Sequence, residues 1–281
     1  MIGKLGGVRL QLLPARLAFF LLFVAPLSYF FVMSFWRVRL FKLTKDFSFD
    51  NYVNVYEEYF GPAVFTFVIA LIIALLTTTI AFAFAYLIRF KAGRFGPPLL
   101  FIALITLFGG YLVKIYAWKT ILGTYGILNS GLVTVGIIDE PLPWLLYNPS
   151  SVVVTLTHFL LPFAILPIYG SLRGIDDTPL EAARDLGAKP RRVFLEIILP
   201  QCQPGLFAAF TLSFLISAGD YVTPRLVGGP YTSMVGNFVE SQFITALDAP
   251  QGSALAFSIL AICFVTLFAL RFGMRAALRP R

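Results

Sequence analysis

Long apolar stretches broken by short polar connections set the character of the chain. About 20 apolar residues are needed to cross the hydrocarbon core of a bilayer as a helix. Six segments meet that requirement: 17–36 (LAFFLLFVAPLSYFFVMSFW), 63–88, 97–117, 151–170, 204–222 and 253–272. None alternates apolar and polar residues strictly, and each is roughly twice the length of a barrel strand, so helices must satisfy the backbone. The predicted fold is all-α, a polytopic membrane bundle of six transmembrane helices. No repeat, low-complexity tract or linker divides residues 1–281, which predicts a single transmembrane domain.

Composition agrees. Hydrophobic residues make up 58% and charged residues 13% of the 281, with a mean hydropathy of +0.84, against about 45–50% apolar and about 25% charged for soluble domains. A soluble protein is excluded. Lys4, Arg9 and Arg16 precede the first apolar run, but that run outlasts a signal-peptide core and no A-x-A site follows it, so a retained anchor is expected.

Basic residues cluster on alternate connections. One set holds the N-terminus, Arg89, Lys91 and Arg94, the loop with Arg173, Arg184, Lys189, Arg191 and Arg192, and the C-terminal Arg271, Arg275, Arg279 and Arg281. The other holds Arg37, Arg39, Lys42, Lys45, Lys119 and Arg225. Because basic loops stay inside, both termini are predicted to be cytoplasmic, in a multi-pass protein of the bacterial inner membrane. The net charge of +8 is spread over these loops, which suits anionic lipid and gives no single face for nucleic acid. Cys202 on the inner side and Cys263 within the last span do not suit a disulfide. Trp118, Trp144 and Tyr147, in the second outer segment, are expected to anchor at the headgroups.

The loop at 175–200 is more ordered in its signals than a connection requires. Thr178 is a candidate N-cap, Pro179 a first helical residue and Glu181 the partner of a capping box. Gly187 stands where a left-handed C-terminal residue is wanted, and Pro190 opens a second short helix with Val193, Phe194, Ile197 and Ile198 on one stripe. Pro200 and Pro204 are expected to end it. Ala182, Ala183 and Gly187 let another surface approach closely while Glu181 and Arg184 set orientation, a pattern suited to docking in a groove of another protein. Two plainer readings are a lipid-bound amphipathic helix and a DNA-reading helix-turn-helix, which its place between spans disfavours.

The spacing of Glu181-Ala182-Ala183, Gly187, Ile197 and Leu199-Pro200 resembles the EAA loop of inner-membrane permease subunits of binding-protein-dependent ABC importers. Residues 116–132 (YAWKTILGTYGILNSGL), 137–148 (IIDEPLPWLLYN) and 219–230 (GDYVTPRLVGGP) are similar to permeases of spermidine/putrescine importers. The resemblance implies the type I importer (MetI-like) fold and a coupling role for Glu181, Ala182, Ala183 and Gly187. It also implies two cytoplasmic ATPase subunits carrying ATP-Mg, a second permease forming a heterodimer, an extracytoplasmic substrate-binding protein, and alternating access for a small solute, a polyamine or another. This chain has no G-x-x-x-x-G-K-[ST] loop, so no bound cofactor and no enzyme activity of its own are expected.

Within the spans, Asp220 and Lys114 are the notable charges. Asp220, with Tyr221 beside it, is read as lining a cation pathway, the alternative being a helix-end residue that caps the next turn or pairs with Lys114 or Arg225. His158 has no acid or Cys at ligand spacing and is read as a packed or pore-facing residue, and Pro162 and Pro167 as kinks in the fourth span. A secondary transporter would want a repeat and coupling acids at the midplane, and a membrane enzyme a nucleophile with its base; the sequence offers neither set.

Overall fold

The computed structural model describes residues 13–40 and 42–277. Lys4, Arg9, Arg279 and Arg281, which entered the charge count, lie outside the described residues.

Helix α1 spans Leu13–Met33, followed by a two-stranded antiparallel ribbon of β1 (Arg37–Arg39) and β2 (Lys42–Thr44). Helices α2 (Asp50–Phe90), α3 (Gly96–Ile105), α4 (Tyr111–Leu122), α5 (Ile127–Thr134) and α6 (Pro149–Arg173) come next. Then follow α7 (Asp177–Asp185), α8 (Pro190–Gln201), α9 (Gln203–Gly219), α10 (Val235–Ile244) and α11 (Ala249–Ala277).

Among the described residues, four uninterrupted helices are long and apolar enough to span a membrane, and two bent pairs raise the number to six if each pair is one span. The expected single third span is therefore corrected: Gly93–Phe108 and Tyr111–Thr134 meet at 100°. Gly109 and Gly110 are extended there (ψ 124° and 143°), which interrupts the helical hydrogen-bond ladder. Two further boundaries move. The second span, expected to begin at residue 63, is helical from Asp50, and the resulting 41-residue α2 is about 60 Å long, twice the roughly 30 Å hydrocarbon core. Pro200 does not end α8. The helix runs through it to Gln201 and turns by 63° into α9, where Pro204 takes an early position that needs no N–H donor.

The chain forms two compact units. Of the described residues, one comprises 13–40, 42–60 and 238–260. In it Phe35 stacks on Phe47 at 4.9 Å and meets Phe49 and Tyr52 at 5.4 and 5.2 Å. Asn51 Nδ2 donates to the carbonyls of Ser34 and Trp36, both at 2.8 Å, and so ties the end of α1 to the start of α2. The apolar window of α1 is only 6% buried, so nearly its whole circumference is exposed.

The other unit comprises residues 61–237 and 261–277, with α6 as its spine. Asn148 caps that helix by accepting from Ser151 N–H at 3.1 Å, with Pro149 in the first turn. Val152, Leu156, Leu160, Ala164, Ile168 and Leu172 recur every four residues and are all buried. They pack with Ile69, Ile73 and Ile115 in one cluster and with Ala81, Ala85, Cys202 and Ala209 in the other. Both Pro162 and Pro167 lie inside the helix, which continues through them. Cys202 and Cys263 are buried and free.

Candidate functional site

Two groups of residues in the second unit carry candidate chemistry. The first is the turn between α7 and α8. Leu180 is 2% exposed and belongs to one cluster with Ile175, Val193, Ile198 and Cys202, so α7 is fastened to the bundle by its apolar face. The side chain of Asp177 accepts from Arg89 Nη2 at 2.8 Å, which ties α7 to the end of α2. The expected Thr178 capping box does not form. The N-cap is Asp176 with no side-chain hydrogen bond, and the helix starts two residues earlier than predicted, where Asp177 is held by Arg89.

The end of α7 follows the expectation for Gly187. Its φ is +79°, Gly187 N–H donates to Arg184 O at 2.8 Å and Ala188 N–H to Ala183 O at 2.9 Å. This pair of bonds is a Schellman motif, which closes the helix with a left-handed residue. Glu181, Ala182 and Gly187 are exposed, whereas Ala183 is half-buried against the apolar cluster, as is Ala188. Nothing lies within 4 Å of a Cβ placed on Gly187, so the knuckle is open to an approaching surface. Beside it Leu186 is 88% exposed. Sequence reading passed over Leu186, though a signal existed: it stands six positions after Leu180, about 240° round the helix and so away from the buried stripe. A cavity of about 240 Å³ adjoins the element, lined by Tyr86, Arg89, Asp177, Glu181, Arg184 and Ile198 among others. On α8, Val193 and Ile198 are buried and Phe194 and Ile197 half-buried, as the predicted stripe requires.

The second group surrounds the end of α9. Asp220 ends that helix in an extended conformation and is buried. Its Oδ1 accepts from the Tyr111 hydroxyl at 2.7 Å and from Val222 N–H at 3.0 Å, so the carboxylate caps the next turn as one of the two expectations held. Tyr111 shares a further 2.7 Å hydrogen bond with Thr223. The alternative pairing with Lys114 is absent: the Lys114 ammonium has no hydrogen-bond partner among the described residues and lies 5.3 Å from the Phe159 ring centroid. Tyr221 is exposed, with its carbonyl accepting from Asn237 Nδ2 at 2.7 Å. Tyr111, the side-chain partner of Asp220 from a sequence-distant segment, had no local signal to reveal it.

His158 meets the edge of Trp118 at 5.6 Å. Trp118 is half-buried and packs against the α6 cluster, whereas Trp144 and Tyr147 are exposed.

A helical bundle with broken spans, carrying a docking-type turn that ends in a left-handed glycine, has the form of an ABC importer permease. The pattern of the binding-protein-dependent transport system inner membrane component family matches residues 91–281, and the chain belongs to that family. It is 34% identical, over 76% of its length and 78% of the relative's, to the spermidine/putrescine transport system permease protein PotB of Escherichia coli (strain K12). It is 35% identical to PotC of the same organism, over 40% of this chain and 42% of that one. Among solved structures, a bacterial ABC transporter involved in the import of the acidic polysaccharide alginate aligns over 99% of this chain and 98% of its own. The TM-score is 0.78 at 14% identity, a likeness of fold alone.

Proposed function

We propose that the chain is one of two permease subunits of an ATP-driven importer and forms half of a translocation path for a polyamine such as spermidine or putrescine. Its second permease is a PotC-like chain, two cytoplasmic ATPases bind ATP-Mg, and an extracytoplasmic binding protein delivers the solute. Both termini and the α7–α8 turn lie on the cytoplasmic side of the bacterial inner membrane. Nucleotide hydrolysis belongs to the ATPases, and this chain binds no cofactor and no nucleic acid.

The observation that carries the reading is the turn itself. Leu186 and Gly187 stand out from a helix whose other face is fixed by Leu180 and by the Arg89–Asp177 pair. A protruding apolar residue on a rigidly tied helix suits insertion into a groove of a partner. Motion of that partner then passes into α2, α6 and α9, whose side chains pack with Leu180. Energy enters as a difference in the partner's affinity for two arrangements of the bundle. Likeness to PotB supports the substrate class, and the buried carboxylate of Asp220 suits a cationic solute.

Reconstitution with the PotC-like permease, the ATPase and the binding protein in liposomes tests the proposal. ATP-dependent uptake of labelled spermidine is expected, abolished by omitting the ATPase and competed by unlabelled putrescine. ATP-driven uptake of another solute with no competition by polyamines would overturn the substrate assignment.

A further inference from the structure

Lys114 and Asp220 are each 8% exposed. The Lys114 Nζ and the Asp220 Oδ2 are buried with no hydrogen-bond partner among the described residues. Ionisable side chains within spans are rare, mark ligand or ion pathways and are usually paired.

The two groups belong to one row of side chains. Lys114 lies 5.3 Å from the centroid of Phe159, Phe159 lies 4.7 Å from Tyr111 ring to ring, and the Tyr111 hydroxyl reaches Asp220 at 2.7 Å. Tyr111 and Lys114 are three apart on α4 and share a face. Both follow the Gly109–Gly110 break, and a Cβ placed on Gly109 would stand 3.4 Å from Lys114 Cε, so the lysine folds back over the break. Asp220 lies at the matching interruption, where α9 gives way to extended backbone at φ −77° and ψ 133°. Rotation about Gly109–Gly110 would move Lys114 relative to Asp220.

We propose that Lys114 and Asp220 exchange partners during transport: the lysine ammonium pairs with Asp220 when the path is shut, and an alkylammonium group of the solute replaces it when the path is loaded. The solute half of this statement rests on the polyamine reading above. A lysine side chain ends in the same primary alkylammonium as a polyamine, and it already sits on an aromatic face that attracts cations. Lys114 is therefore a specificity-determining residue. A neutral solute cannot displace it from Asp220, and a multiply charged amine can.

A double-mutant cycle in the intact reconstituted importer tests the exchange. Lys114→Met removes the internal competitor and is expected to lower half-saturating spermidine about threefold, whereas Asp220→Asn raises it about tenfold. In the Asp220→Asn background, Lys114→Met is expected to have no further effect. The same Lys114→Met effect in both backgrounds, or a rise in half-saturation, overturns the proposal.

A second measurement needs no solute. Without ATP, each single variant is expected to raise sodium leak from the liposomes, Lys114→Arg to keep the leak low, and the exchanged pair Lys114→Asp with Asp220→Lys to restore the seal. An exchanged pair as leaky as the single variants overturns the pairing. If the wild-type importer moves no spermidine, the polyamine reading fails while the leak series still decides the Lys114–Asp220 pair.

Discussion

Gly205 leaves no room for a side chain. A Cβ there would stand 2.5 Å from the Pro167 carbonyl oxygen and 2.5 Å from Ser171 Oγ, so α9 and α6 meet backbone to side chain at this point. Membrane helices lack a hydrophobic drive for association and depend on such close approaches. Gly205→Ala is expected to force the helices apart and destabilise the bundle by about 1–3 kcal/mol, read as a lower melting temperature of the detergent-solubilised protein. An unchanged melting temperature would contradict the packing described for these two helices. Gly187 is the opposite case, open to solvent but held at positive φ, where a residue with a Cβ costs about 1 kcal/mol or more.

The α7–Gly187–α8 element depends on that turn. Gly187→Val is expected to leave the protein in the membrane and assembled with its partners, since no core contact is lost, but to abolish ATP-driven uptake because the knuckle can no longer present Leu186. Uptake at the wild-type rate in liposomes, with Gly187→Val assembled at the wild-type level, would contradict this role. The element was legible in sequence at its end and not at its start. A glycine after a short helix has one dominant use, whereas the N-cap was decided by Arg89, a residue of α2 whose pairing with Asp177 no local pattern announces. The same distinction holds along the chain. Apolar run length located the long helices, but the 100° break at Gly109–Gly110 lies inside an apolar run that reads as continuous. The hydrogen bond from Tyr111 to Asp220 joins residues 109 positions apart and could be found only in the folded chain.

At the scale of the molecule, the α6 spine of the described bundle runs between the exposed α7–α8 turn and two polar interruptions in the spans. Leu180 and Ala183 of α7 pack in the same cluster as Ala164, Ile168 and Leu172 of α6. Further along α6, Leu156 and Leu160 belong to the cluster that includes Ile115 and borders Tyr111. The two clusters thus lie at successive levels of α6, one against α7 and the other beside Tyr111, the partner of Asp220. The central claim is that a separate motor works on this bundle at Leu186. A photo-crosslinking amino acid placed at position 186 in cells tests it most directly. The account predicts an adduct with the ATPase subunit whose yield changes when nucleotide is trapped. Labelling of position 186 by a membrane-impermeant reagent added outside the cell, with no ATPase adduct, would contradict it.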